Sequence, residues 1–256
     1  MSWLSHRRDQ EAPVWKKLLN VLLAALLISG FFLISLNRIA YRLNFSFLID
    51  YRFRLGRAFT LTALISLCSM ALSLLIGALS AWLYRARLLV ARYLARGYIK
   101  FIRGTPLMMQ IYLFFYIVGT AWQVNDRFLA GVLILSIFEG AYVAEILRGS
   151  YESLDHMQLE AARAVGFSRR QTLRHVILPQ MISRTLPALT GQFASIIKDS
   201  SLLSLISLIE LTQATRELTA THFNLFEAYL VLGLLYLIMT LPMNWLSGWL
   251  ERRYSY

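Results

Sequence analysis

Long apolar stretches without charge are the feature that most constrains how this chain can fold. An α-helix rises about 1.5 Å per residue, so roughly 20 apolar residues are enough to cross a bilayer core. Six stretches are long enough, at residues 18–36, 59–84, 105–125, 128–147, 185–209 and 228–250. Four of them contain no charge, whereas 128–147 contains Glu139 and Glu145, and 185–209 contains Lys198 and Asp199. The composition agrees, because 57% of the residues are hydrophobic and only 16% are charged. The sequence therefore predicts an all-α integral membrane protein with six transmembrane helices.

The distribution of lysine and arginine predicts the orientation of these helices. Basic residues concentrate before the first stretch, between the second and third, between the fourth and fifth, and after the sixth. Cytoplasmic loops carry such an excess, so we expect both termini and residues 148–184 to be cytoplasmic. The same bias accounts for the net charge of +12 without a nucleic-acid partner. Residues 41–57 lie outside in this topology yet carry four arginines, which favours an amphipathic helix on the outer surface.

The segment 148–184 contains start and stop signals for two short helices. Residues 157–165 are rich in Leu and Ala, and Gly166 follows where a helix end favours a residue with positive φ. Ser168 and Gln171 have the spacing of a capping box. The pattern predicts a second helix from residue 169 to 178 that ends at Pro179. The segment is therefore interpreted as a folded hairpin, although a surface loop that merely joins two spans is the simpler alternative.

Several motifs resemble those of one transporter family. The residues Glu160-Ala161-Ala162, then Gly166, then Val176-Ile177-Leu178-Pro179 resemble the E-A-A…G…I-x-L-P loop of ABC-importer permeases, with Val176 in place of the usual Ile. Four other segments resemble the polar amino-acid branch, which includes histidine, glutamine, glutamate and arginine permeases: Arg103–Leu107, Gly140–Gly149, Ile197–Leu202 and Glu210–Thr212. The resemblance covers residues 56–253 and implies a five-helix type I importer core. Residues 1–55 then form a cytoplasmic segment, an added N-terminal helix and an external loop.

The resemblance implies how such a chain works and with which partners. The loop would couple the spans to a dimer of ATPase subunits. Its expected coupling residues are Glu160, Ala161, Ala162, Val165, Gly166, Leu178 and Pro179. A second permease, identical or homologous, would complete the pathway, and a periplasmic or lipid-tethered binding protein would deliver amino acids. The location implied is the bacterial inner membrane, surrounded by lipid.

The chain shows no sign of chemistry of its own. No glycine precedes any of its four lysines, so it lacks a phosphate-binding loop, and ATP and magnesium are expected on the partner ATPase. The four histidines are scattered without metal-ligand spacing. We therefore expect no enzyme activity, no catalytic residue and no metal site in this chain.

Polar residues within the predicted spans are candidates for the substrate path. An ionisable residue inside a membrane is a functional hypothesis by default. The candidates are Glu139, Gln192, Lys198, Asp199 and Ser200. Glu139 has two interpretations, a carboxyl kept neutral by burial or a contact for the ammonium group of a substrate. Gln192 carries no charge, which favours a neutral polar or an acidic substrate.

Two other functional classes fit the apolar composition. A secondary transporter or ion channel could use Glu139, Lys198 and Asp199, but it predicts inverted repeats that the sequence does not show. An intramembrane enzyme needs a nucleophile with a base or a metal pair, and the spans contain no histidine. The permease interpretation explains more of the motifs than either alternative.

Overall fold

The computed structural model describes residues 13–38 and 43–254 of the 256-residue chain, and every regular element within them is helical. The α-helices are α1 Val14–Arg38, α2 Phe47–Tyr84, α3 Leu89–Gly104, α4 Leu107–Tyr112, α5 Arg127–Glu152, α6 His156–Ala164, α7 Arg169–Thr172, α8 Leu178–Asp199, α9 Leu211–His222 and α10 Leu225–Tyr254. Two π-helical segments, Leu113–Gly119 and Leu173–Ile177, continue α4 and α7, and a 3₁₀ segment, Ser200–Ile206, follows α8. This confirms the all-helical prediction for the described residues.

The chain divides into two compact units, residues 1–45 and 46–256. In the described part of the first unit, α1 is long and apolar enough to cross a membrane. The second unit begins about ten residues before the boundary at residue 56 that the motifs suggest. The predicted cytoplasmic segment before residue 13, and residues 39–42 of the predicted external loop, lie outside the described residues.

The most extensive packing in the second unit joins α2 to α5. A stripe of small residues on α2 makes this possible, and all its members are buried: Thr62, Ser66, Ser69, Ser73, Gly77 and Ser80. A Cβ atom placed on Gly77 would lie 2.4 Å from Val143 Cγ1, and one placed on Gly140 would lie 2.7 Å from Ile76 Cγ2. Small side chains let helix backbones approach closely, which is how helices associate in lipid. Glycine is therefore required where α2 and α5 meet.

A sharp break separates α3 from α4. The axes of Leu89–Gly104 and Leu107–Gly119 differ by 114°. Pro106 causes the break, because proline lacks an N–H donor and restricts the preceding residue to an extended backbone, which Thr105 adopts. The buried Gln110 holds the corner, since its amide donates to Ile102 O over 2.8 Å and to Thr105 Oγ1 over 2.7 Å. The stretch 105–125 therefore begins at this break, and its helix runs from Leu107 through the π-helical segment to Gly119.

The helix that begins at Arg169 does not end at Pro179, so that prediction was wrong. It continues through the π-helical segment Leu173–Ile177 into α8, where Pro179 occupies the first turn of the resumed α-helix. A π-helical turn is one of the known ways to relieve the local disturbance that proline causes in a helix. A second proline, Pro187, lies inside α8.

Among the described residues, four helices are individually long and apolar enough to span a membrane, and the bent pair 89–104 and 107–119 makes a fifth. The stretch 185–209 does not qualify, because it consists of the end of α8, with Lys198 and Asp199, followed by the 3₁₀ segment. The structure thus supports a multi-pass membrane protein, while the count of six and the orientation stay predictions. Residues 47–57 are the first turns of α2, so the separate amphipathic helix expected at residues 41–57 was wrong.

Candidate functional site

A helix of nine residues, α6, stands at the centre of the segment predicted to couple to an ATPase. Asp155 caps its first turn by accepting a hydrogen bond from Met157 N–H over 2.9 Å. At its other end Phe167 N–H bonds to Ala162 O, and Gly166 N–H to Arg163 O, both over 3.0 Å. These two bonds form a Schellman motif, in which the residue after the helix adopts positive φ. Gly166 does so, with φ 81°, as its position in the sequence predicted.

The turn after α6 leads directly into a second capped helix. Ser168 and Gln171 form the predicted capping box, with Gln171 N–H bonded to Ser168 Oγ over 3.3 Å and Ser168 N–H to Gln171 Oε1 over 2.8 Å. The rings of Phe167 and His175 meet edge to face. The segment is thus a closed helical hairpin whose angle is fixed by backbone caps.

The expected coupling residues occupy two different surroundings on this hairpin. Ala162 is buried and anchors α6, whereas Glu160, Ala161 and Val165 are exposed. Leu178 and Pro179 also lie exposed, where α8 begins. An outward surface with small side chains permits close approach of another protein.

A network of charges connects the spans to the hairpin. Glu145 lies 3.4 Å from Arg103 of α3 and also pairs with Arg148, which in turn pairs with Glu152 near the end of α5. Arg103 and Glu145 come from two of the motifs recognised in the sequence, 103–107 and 140–149. The sequence analysis predicted none of these pairs. The i,i+3 and i,i+4 spacing of Glu145, Arg148 and Glu152 is the signal that could have revealed the pairs within α5, whereas the sequence gives no signal for the pairing across helices.

Polar side chains meet inside the helical bundle between α5 and α8. Glu139 is fully buried in α5, and Gln192 of α8 donates a hydrogen bond to its Oε2. The carboxyl group of Asp199 lies close enough to interact with that of Glu139. Gln192 and Asp199 are seven residues apart, about two turns, so they share a face of α8. Glu139 Oε1 is buried without a hydrogen-bond partner in the described structure.

The other two candidates for the substrate path do not belong to this hydrogen-bonded group, although Lys198 lies close enough to Asp199 for their charges to interact. Lys198 is exposed, because adjacent residues on a helix point about 100° apart and Asp199 faces inward. Ser200 is fully buried, but its hydroxyl donates to Ile197 O over 2.7 Å within its own turn.

Neither carboxyl of the Glu139–Asp199 pair forms an ion pair with a lysine or arginine of residues 13–38 and 43–254.

Sequence reasoning gave no role to a second buried carboxylate, Glu210. It caps α9 by accepting bonds from Thr212 N–H over 2.7 Å and Gln213 N–H over 2.8 Å. Tyr236 of α10 donates a third bond over 3.0 Å. The position of Glu210 directly before α9 is the signal that could have revealed this structural role, since an acidic side chain at a helix start accepts backbone N–H bonds. In the described residues no three His, Cys, Asp or Glu side chains are grouped as metal ligands.

The chain is similar to known membrane transport proteins. Residues 73–256 match the family described as the binding-protein-dependent transport system inner membrane component. The glutamine transport system permease protein GlnP of Escherichia coli is 36% identical over 75% of this chain and 89% of its own length. The probable glutamine ABC transporter permease protein GlnM of Bacillus subtilis is 31% identical over 82% of this chain and 98% of its length.

A solved structure shows the same fold. One chain of an amino acid ABC transporter, crystallised with histidines, is 31% identical to this chain and superposes with a TM-score of 0.77. The match covers 83% of this chain and all of the other. The chain therefore belongs to the family of binding-protein-dependent transport system inner membrane components, the membrane-embedded permease subunits of ABC importers.

Proposed function

We propose that this chain forms half of the membrane pathway of an importer for polar amino acids, in the inner membrane of a bacterium. A second permease subunit forms the other half, a dimer of separate ATPase subunits supplies the energy, and an extracytoplasmic binding protein delivers the substrate. The family and the names of the relatives support this assignment. The single observation that carries it is the closed hairpin around Gly166.

The hairpin suits a coupling role because it is both exposed and stiff. The Schellman motif and the capping box fix the direction of α6 relative to the continuous helix that begins at Arg169. That helix runs without a chain break into α8, which carries Gln192 and Asp199. Movement of an ATPase bound at Glu160, Ala161 and Val165 therefore reaches the polar residues of the bundle through one connected helix.

The polar residues between α5 and α8 suit the positive end of an amino acid. Glu139 and Asp199 provide two carboxyl groups and Gln192 one amide, and the second oxygen of Glu139 has no hydrogen-bond partner among the described residues. The buried Glu139 and the half-buried Asp199 form no close ion pair with a lysine or arginine of the described residues, which favours a ligand that carries a cation. Every amino acid has an α-ammonium group of this kind. We propose that Glu139, Gln192 and Asp199 contact this group and that neutral or cationic side chains are accepted. This differs from the neutral or acidic substrate that Gln192 alone suggests.

Reconstitution tests the proposal directly. The complex is purified through a tag on this chain, placed in liposomes containing ATP, and supplied with binding protein and radiolabelled amino acids. We expect uptake that requires hydrolysable ATP and the binding protein, with glutamine, histidine or arginine preferred over glutamate. Liposomes loaded with a non-hydrolysable ATP analogue are the control. Uptake at the same rate with the analogue would favour a secondary transporter and contradict the assignment.

A further inference from the structure

A cavity of about 780 Å³ opens at one end of the bundle, away from the polar residues between α5 and α8. It lies between the last turns of α2 and α5, the turn that follows α2, and the first turns of α8. Its wall is apolar, with Ala78, Leu147 and Met181 among its members. Three arginines also line it, namely Arg85, Arg87 and Arg148.

Two of these arginines differ from the third in their partners. Arg148 is paired with Glu145 and Glu152. Arg85 instead lies over the ring of Tyr151, with its guanidinium carbon 3.9 Å from the ring centre. Within the described ranges, neither Arg85 nor Arg87 forms an ion pair with an acidic side chain. The cavity therefore presents two guanidinium groups that have no carboxylate partner in the described part of the chain, one of them held in place by an aromatic ring.

The position of the cavity along α2 indicates where it lies relative to the membrane. The uncharged stretch of α2 ends at Tyr84, so the helix leaves the hydrocarbon layer where the cavity begins. Trp82 on its wall is 70% exposed, as expected for an aromatic side chain at the level of the lipid headgroups. In the topology predicted from the charged loops, this end faces the cytoplasm, where anionic lipids attract basic segments.

We propose that this cavity binds the headgroup of an anionic phospholipid, with the phosphate between Arg85 and Arg87 and an acyl chain along the apolar wall. Guanidinium groups donate paired hydrogen bonds to phosphate oxygens, which suits them to this ligand. A free phosphate would use only the arginines, whereas an amphiphile also covers Ala78, Leu147 and Met181. The combination of the apolar wall with Arg85 and Arg87 at headgroup depth favours the lipid.

The test measures lipid retention by the purified complex in nanodiscs. The discs contain phosphatidylcholine with a minor fraction of fluorescent phosphatidylglycerol, and retained lipid is measured after extraction with mild detergent. We expect the wild-type complex to retain phosphatidylglycerol in preference to phosphatidylcholine. One basic residue near a membrane surface changes anionic lipid binding by about fivefold. Accordingly, R85Q/R87Q should lower the preference by about 25-fold, while R85K/R87K should keep most of it.

A matched variant controls for loss of charge alone. R169Q/R170Q also removes two exposed arginines, but from α7, outside the lining of the cavity, and should leave the preference unchanged. Glycerol phosphate and inorganic phosphate are added as competitors. Displacement of the lipid by either at equal concentration would assign the site to free phosphate and overturn the proposal.

Two further results would also overturn it. One is equal retention of the two lipids by the wild-type complex, a result that needs no variant and so does not depend on variant folding. The other is loss of the co-purified ATPase from R85Q/R87Q with unchanged lipid retention, which would assign these arginines to a protein contact instead.

Discussion

Arg184 of α8 donates a hydrogen bond to Ser153 Oγ over 2.6 Å and another to the Ser153 carbonyl oxygen. These bonds join the start of α8 to the end of α5 and so close the hairpin segment at its base. The two residues are separated by 31 positions in sequence, and everything between them is the segment that carries α6 and Gly166.

Replacing Arg184 by alanine should loosen this closure without unfolding the spans. Because the side chain is exposed, we expect the loss to cost only about 1 kcal/mol of local stability. Hydrogen–deuterium exchange should become faster in residues 153–164 and stay unchanged in α2. The exposed Arg163 of α6 provides a control, since Arg163→Ala removes a charge from the hairpin but no bond to Ser153. Equal exchange in Arg184→Ala and wild type would show that the bond does not hold the base of the segment.

Gly166 should be intolerant of β-branched residues for a backbone reason alone. Nothing lies within 4 Å of a Cβ atom built on it, yet its φ is 81°. Gly166→Val should therefore cost roughly 1–2 kcal/mol and change the direction of α6. We expect normal amounts of permease in the membrane but little uptake and little stimulation of the ATPase by loaded binding protein.

Asparagine at position 166 serves as the control for this prediction, because it tolerates the left-handed region better than other side chains. Gly166→Asn should keep most of the uptake. If the Gly166→Val protein is produced at a normal level and takes up substrate at the wild-type rate, this turn does not couple the ATPase to transport.

Asp199→Asn and Lys198→Gln separate two hypotheses about the substrate path. Each removes one charge at adjacent positions, but Asp199 faces Glu139 while Lys198 is exposed. If the carboxyl pair binds the α-ammonium group, Asp199→Asn should raise KM for uptake by about tenfold, the size expected for losing a hydrogen bond to a charged group. Lys198→Gln should change KM much less. If Lys198→Gln raised KM more than Asp199→Asn in a liposome uptake assay, the substrate path would lie on the Lys198 side of α8.

The predicted orientation can be measured with single cysteines. Cys68 is the only native cysteine, so Cys68→Ser gives a background without thiols. A cysteine at Ser168, which is exposed in the hairpin, should react with a membrane-impermeant maleimide only after the membrane is opened. Strong labelling in intact cells would show that the orientation is opposite to the one predicted from the charged loops.

Gly77→Ala should destabilise the protein, although alanine normally favours a helix. The added Cβ would lie 2.4 Å from Val143 Cγ1. Either α2 and α5 would have to separate, or Val143 would have to change its rotamer. Overpacking of this kind costs about 1–3 kcal/mol. Gly233→Ala in α10 is the control, because nothing lies within 4 Å of the added atom. Thermal unfolding in detergent should show a lower midpoint for Gly77→Ala only.

Local signals in the sequence predicted local structure well. The positive φ of Gly166 and the capping box of Ser168 and Gln171 follow from residue types a few positions apart, and both are present. Pro179 shows the limit of such reasoning. A proline normally ends a helix, but here a π-helical segment precedes it and the helix continues, an accommodation that residue spacing does not reveal.

Contacts between distant parts of the chain were only partly predictable. Glu139, Gln192 and Asp199 were each recognised as unusual in an apolar span, because a charge or amide there is costly. Their meeting depends on how α5 packs against α8, which the sequence alone does not specify. For the same reason the pairing of Arg103 with Glu145 was not predicted, although both belong to recognised motifs.

The 38 residues of α2 form one unbroken helix, about 57 Å long, whereas the hydrocarbon layer is about 30 Å thick. At its first turns Arg54 pairs with Glu217 of α9, and at its last residue the ring of Tyr84 faces Arg96 and Arg148. Rigid helices of this kind can carry a displacement between distant sites. A protein that presses on the Arg54 end therefore has a direct mechanical connection to the charges beside the hairpin. We expect arrival of a loaded binding protein to be sensed across the membrane along this single helix.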